Sequence, residues 1–142
     1  MSCSCHSEKP YEKCCAPYHA GTLLPPTASA LMRSRYSGYA LGKVDYILDT
    51  THPDHPDNRI PIAQRRKQIE AFCQQTRFEG LEILSSEDGE PYSYVIFRAI
   101  LSQNGVDGSF TERSQFAKVK GRWLYLKGER PNVSHGSTRG DE

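Results

Sequence analysis

Four cysteines fall within the first fifteen residues, Cys3, Cys5, Cys14 and Cys15, in the pattern Cys-x-Cys-x8-Cys-Cys. Thiolates are soft ligands, and four of them complete the tetrahedral shell that Zn(2+) takes in structural sites. The surrounding segment has Tyr11 as its one large apolar side chain, too little burial to offset about 1–2 kcal/mol of chain entropy per ordered residue. Metal binding can supply about 10 kcal/mol or more to a peptide of this size. Zinc held by Cys3, Cys5, Cys14 and Cys15 is therefore the expectation, ahead of a redox pair or free thiols. Such a site carries a net charge near minus two, which Lys9 and Lys13 inside the loop would offset. A closed shell leaves no position for a catalytic water, so its work would be structural or adhesive. His6 and His19 are the imidazoles placed to compete for a ligand position, and Cys73, beside Phe72, reads as a small core residue.

The elements that must carry this site follow in order. Leu23-Leu24-Pro25-Pro26 reads as a stiff linker, after which Thr27 offers a side-chain oxygen to cap a helix over residues 28–41. Ala28, Leu31, Met32, Tyr36, Tyr39 and Ala40 share one face of that helix, and Gly42 supplies its left-handed stop. A short helix from Val44 to Asp49 ends before His52-Pro53, a polar loop follows in which His55 is expected to face solvent, and a third helix runs over residues 61–76, with Arg65, Arg66 and Lys67 read as a solvated face. About four strands follow, at 81–85, 92–102, 109–119 and 122–127, with turns at Asn104-Gly105 and Lys120-Gly121. Phe110, Glu112, Ser114 and Phe116 share one strand face, and Trp123 and Tyr125 another. Helices first and strands after define an α+β layer structure whose sheet curls over the helices. The polar stretch 130–142 reads as a flexible tail.

With 142 residues the chain suits one globular domain plus a small appendage. A formal net charge of +1 gives no electrostatic argument for nucleic acid. No secretory signal and no membrane-length apolar run is present, so a cytoplasmic location is expected, where clustered cysteines bind metal more often than they form disulfides. An exposed apolar sheet face would allow a homodimer.

The segment Cys3-Ser4-Cys5-His6 through Tyr11-Glu12-Lys13-Cys14-Cys15 resembles the SEC-C zinc knuckle found at the end of the SecA translocase motor and on many unrelated bacterial proteins. Leu31-Met32-Arg33-Ser34-Arg35-Tyr36-Ser37, Asp45 through Pro53, Glu112-Arg113-Ser114-Gln115-Phe116 and Gly121-Arg122-Trp123-Leu124-Tyr125 resemble the YchJ family of small bacterial proteins. The resemblance implies a zinc knuckle over 1–22 and a cone-shaped domain like nuclear transport factor 2 over 23–129. That fold hosts enzymes and plain binding domains alike. The knuckle of the family usually carries Gly-Ser after its second cysteine, where this chain has His6-Ser7.

Within the matching motifs the polar residues are Arg33, Arg35, Asp45, His52 and Glu112. The plainer expectation is that Arg33 and Arg35 pair with Asp45 or Glu112. The alternative is a pocket in which His52 or Asp45 is a general base, Glu112 its partner and an arginine an anion ligand, walled by Tyr36, Tyr39, Trp123 and Tyr125. Functionally, the leading expectation is an interaction or adaptor module whose knuckle docks a protein partner. A small-molecule-binding or dehydratase- or isomerase-like cone is the alternative.

Overall fold

The computed structural model describes residues 2–129; the expected tail at 130–142 lies outside the described residues. The knuckle comprises a 3-10 turn at Tyr11–Lys13 and a short helix, α1 (Ala16–Ala20). The body begins with α2 (Ala28–Ala40), α3 (Val44–Asp49) and α4 (Ile62–Gln75). The sheet follows: β1 (Thr76–Glu87), β2 (Tyr92–Gln103), β3 (Val106–Asp107), β4 (Phe110–Val119) and β5 (Arg122–Glu129). Among the described residues no helix is long and apolar enough to cross a membrane.

Local chemistry sets the helix limits. Thr27 Oγ1 accepts from the Ala30 N–H at 3.1 Å, satisfying one of the free donors at the start of α2. Gly42, at φ +71°, turns the chain out of α2 in a conformation that costs other residues a Cβ clash. Gly38, inside α2, lets α1 and α3 come close: a Cβ there would lie 3.3 Å from Ile47 and 3.7 Å from His19.

The sheet is antiparallel in the order β1-β2-β4-β5, with β3 paired on β2, so it has five strands rather than about four. The additional strand arises at Asn104-Gly105, whose φ angles of 51° and 78° make a two-residue turn that folds Val106 and Asp107 back onto β2. The first strand also starts at Thr76 and not Leu81. Bulges at Glu79 and Leu84 shift the side-chain phase twice, which hides the alternation from the sequence. A third bulge, between β4 and β5, adds to the curl. The outer side of β5 is closed by residues 50–52, where Tyr125 N–H donates to Thr50 O and His52 N–H donates to Tyr125 O.

The core lies between α2 and the concave face of the sheet. Leu31, Met32 and Tyr36 pack on Leu81, Val95, Phe97, Leu101, Phe116 and Trp123. Each such side chain contributes about 1.5–3 kcal/mol through burial, and Phe116, with no exposure, sits at the centre. Arg65 corrects the expectation of a solvated basic face on α4. It is buried, and its Nη1 donates to Asn58 Oδ1 at 2.6 Å, while Asn58 donates to the carbonyls of His52 and Pro53.

Candidate functional site

Two sites are built on this frame. The first is the cysteine cluster. Cys3 N–H donates to Lys9 O at 2.8 Å and His6 N–H to Cys3 O at 3.1 Å, closing the loop that presents Cys3 and Cys5. Cys14 and Cys15 sit where the 3-10 turn meets α1. The four sulfurs all lie within 4.8 Å of one another, with Cys5 and Cys14 at 3.6 Å and Cys14 and Cys15 at 3.9 Å. A hydrogen bond from Cys15 pulls the Cys5 thiol down to about 4, opposed by burial and helped by Ser7, Cys3 and Cys14. The same bond pushes Cys15 up. Four thiols gathered this closely are suited to a metal ion, which binds the deprotonated form.

The cluster is packed on the body through polar struts. His19 Nε2–H donates to Ser34 O at 2.8 Å, which leaves Nδ1 to accept from the Tyr11 hydroxyl at 2.7 Å. Burial lowers its pKa, in keeping with this neutral tautomer. Arg33 Nη1 donates to Cys5 O at 3.2 Å. His6 places its ring edge on Tyr36 at 5.9 Å.

The second site is a cavity of about 330 Å³ between α2, α4 and the sheet. Arg35 and Glu112 line it, together with Tyr36, Tyr39, Phe72 and Tyr125. Arg35 Nη1 is held by Thr50 Oγ1 at 2.8 Å, Ile47 O at 3.1 Å and Thr51 Oγ1 at 3.3 Å. Its Cζ lies 4.7 Å from the Tyr125 ring centre. Glu112 Oε2 accepts from Ser114 Oγ at 2.7 Å and from the Tyr125 hydroxyl at 3.2 Å. Burial, and next the Glu112 charge, raise the Tyr125 pKa, so the phenol remains a donor.

These arrangements can be set beside known proteins. The model of the middle, NTF2-like domain of YchJ matches residues 27–128. The chain belongs to the YchJ family. Its body is an NTF2-like domain, as the order of helices and strands also indicates. The chain is 41% identical over 130 residues to the UPF0225 protein SCO1677 of Streptomyces coelicolor, across 89% of this chain and 94% of that one. The solution structure of RPA3114, a SEC-C motif containing protein from Rhodopseudomonas palustris, superposes with a TM-score of 0.82 at 36% identity, covering 93% of this chain and all of that one. The crystal structure of a SEC-C motif containing protein from Psychrobacter arcticus gives 0.75 at 28% identity, covering 97% and 85%.

The knuckle resemblance implies glycine at the position of His6. His6 stands at φ +65°, where glycine is the least strained residue, and its ring turns to Tyr36. The group of four that could hold a metal is Cys3, Cys5, Cys14 and Cys15, without His6 or His19.

The other candidates expected from the sequence do not gather as one pocket, and the expected ion pairs of Arg33 and Arg35 with Asp45 or Glu112 do not form among the described residues. Arg33 serves the knuckle. Asp45 is exposed in the first turn of α3 and pairs with Arg66 at 2.7 Å. His52 is tied into its own loop, accepting from the Asp54 N–H at 2.9 Å. Trp123 is in the core and faces a different groove, beside Leu23 and Leu24. Glu112 alone of the five pocket candidates Arg33, Asp45, His52, Glu112 and Trp123 lines the cone cavity. His55, expected in solvent, packs instead on Tyr125 with ring centres 5.4 Å apart. Sequence reasoning did not single out Thr50, Thr51 or Gly128. A Cβ at Gly128 would collide with the Glu112 carboxylate, so a glycine opposite Ser114 is the one local signal of that contact.

Proposed function

We propose that the chain is a zinc-binding protein whose knuckle docks a protein partner in the cytoplasm. The observation that carries the metal reading is the spacing of the four sulfurs. Zinc–sulfur bonds of about 2.3 Å put the edge of a tetrahedral site at about 3.8 Å; two of the six sulfur separations, 3.6 Å and 3.9 Å, bracket that edge, and all six lie within 4.8 Å. Cys3, Cys5, Cys14 and Cys15 would hold the ion, and with four thiolates it has no open position, so its contribution is to order residues 2–21. The SEC-C motif of the two structural neighbours supports the same reading. Docking is supported by Leu23 and Leu24, which stand 58% and 54% exposed beside the knuckle. They border a groove of about 360 Å³ shared with Tyr18, Tyr46 and Trp123.

Metal analysis of the untagged protein tests the first part, with one zinc per chain expected; another metal or none would defeat it. Partner capture tests the second, comparing the native chain with Cys14→Ser and with the doubly substituted Leu23→Asp, Leu24→Asp. Both variants should lose the same partners, and the aspartates should do so with zinc retained. Unchanged recovery from both would leave docking without support.

A further inference from the structure

We infer that the cone cavity binds a small zwitterion with an apolar body, the chemistry of a free apolar or aromatic amino acid, with its carboxylate on Arg35 and its ammonium on Glu112. At about 330 Å³ the cavity is in the range of small-ligand sites. Phe72, Phe78, Phe97 and Phe110 supply apolar walls. Its charged lining is one guanidinium, Arg35, and two carboxylates, Glu112 and Asp57, with Gln68 and Ser114 as neutral polar groups.

Arg35 is only 6% exposed, and a buried charge needs compensation. The three acceptors around its Nη1 are all neutral. A guanidinium has five N–H donors, and those on Nε and the other Nη meet no acceptor among the described residues. Nor does any carboxylate there form an ion pair with it. Glu112 is in the complementary state. Its Oε2 is satisfied by two hydroxyls, no cation pairs with it among the described residues, and Oε1 meets no donor. The missing glycine Cβ at position 128 leaves room for this carboxylate where a side chain would expel it.

Arg35 and Glu112 share one wall. Arg35 lies over the Tyr125 ring and the hydroxyl of the same ring donates to Glu112. A lone anion would be drawn to Arg35 and repelled by Glu112 and Asp57, and a lone cation the reverse. A molecule carrying both charges close together meets each with its opposite, and its apolar remainder faces the phenylalanines. This inference is independent of the knuckle, since no residue before Met32 lines the cavity.

Calorimetric titration of the zinc-loaded full chain with L-phenylalanine, 3-phenylpropionate and 2-phenylethylamine tests it. Phenylalanine should bind about tenfold or more tightly than either singly charged probe, the equivalent of one charge-assisted hydrogen bond. Glu112→Gln, which keeps shape and an acceptor, should remove that advantage over phenylpropionate, and amide shifts on binding should centre on Arg35, Glu112 and Tyr125. No saturable binding of phenylalanine at millimolar concentration, equal binding of a singly charged probe, or an undiminished preference in Glu112→Gln would overturn it. Should the variant fail to fold, the three-probe comparison on the native chain decides.

Discussion

The knuckle and the cone are ordered by different means within one chain. The knuckle's buried centre is Cys3, Cys5 and Cys15, with Tyr11 and Cys14 at its margin. The cone's is a continuous apolar cluster built from α2, β1, β2, β4 and β5. In the first, on the proposed reading, order rests on four cysteines that a cation would join. In the second, removal of hydrocarbon from water suffices. Their seam combines directional bonds from His19 and Arg33 to backbone carbonyls with the rings of His6 and His19 set against Tyr36 and Tyr46. Such bonds add little net stability but fix geometry. The cysteine cluster is thus held in one orientation on a body whose core does not extend into it.

The strongest way to break this contrast is to remove the metal. Chelation under reducing conditions should cost the knuckle about 10 kcal/mol of ordering free energy. Hydrogen exchange should then show residues 2–21 unprotected while β2 and β4 retain protection. Loss of protection in the strands as well would show that the two regions form one cooperative unit. The converse test is Phe116→Ala, expected to lower unfolding free energy by about 3–5 kcal/mol in urea melts. Metal content of the native variant should not change. At the seam, Arg33→Met removes the bond to Cys5 O, worth about 1.5 kcal/mol. It should speed metal transfer to a chelator by about tenfold and leave the urea midpoint of the cone nearly in place.

The smallest effect is a pH dependence within the cone. Burial against Tyr125 lowers the pKa of His55, so the unfolded chain, with an imidazole near 6.5, takes up a proton more readily. Stability from this group is complete above about pH 6.5 and falls as the pH drops through the window below it. In urea melts between pH 7.5 and 5, His55→Gln should show a shallower decline than the native chain. It should not be flat, because the depressed pKa of His19 acts in the same direction.

The contrast also explains what could be read from the sequence. The cysteine cluster was legible because its members are neighbours: two pairs of cysteines within thirteen positions give spacing a direct meaning. Thr27, Gly42 and Pro53 marked helix limits for the same local reason. Along β4 the alternation correctly placed Glu112 with Phe110, Ser114 and Phe116. The cavity as a whole was not legible, since Arg35, Glu112 and Tyr125 come together only when the sheet closes over α2. α3 is six residues long, too short for its periodicity to tell that Asp45 turns outward. His55 and Arg65 looked like solvent-facing groups in a polar loop and a basic run. Tertiary partners, Tyr125 and Asn58, decided otherwise.

The unequal treatment of the two sheet borders bears on how the protein behaves when crowded. β5 is closed by residues 50–52, whereas β1 is the opposite border. There, the bulges at Glu79 and Leu84 break the run of backbone groups, and Arg77, Glu79, Glu82 and Glu87 place charge along it. An interrupted, charged border is a poor template for an incoming strand. The twelve-residue β1 can therefore give its apolar face to the core while its outer side disfavours pairing with a second copy.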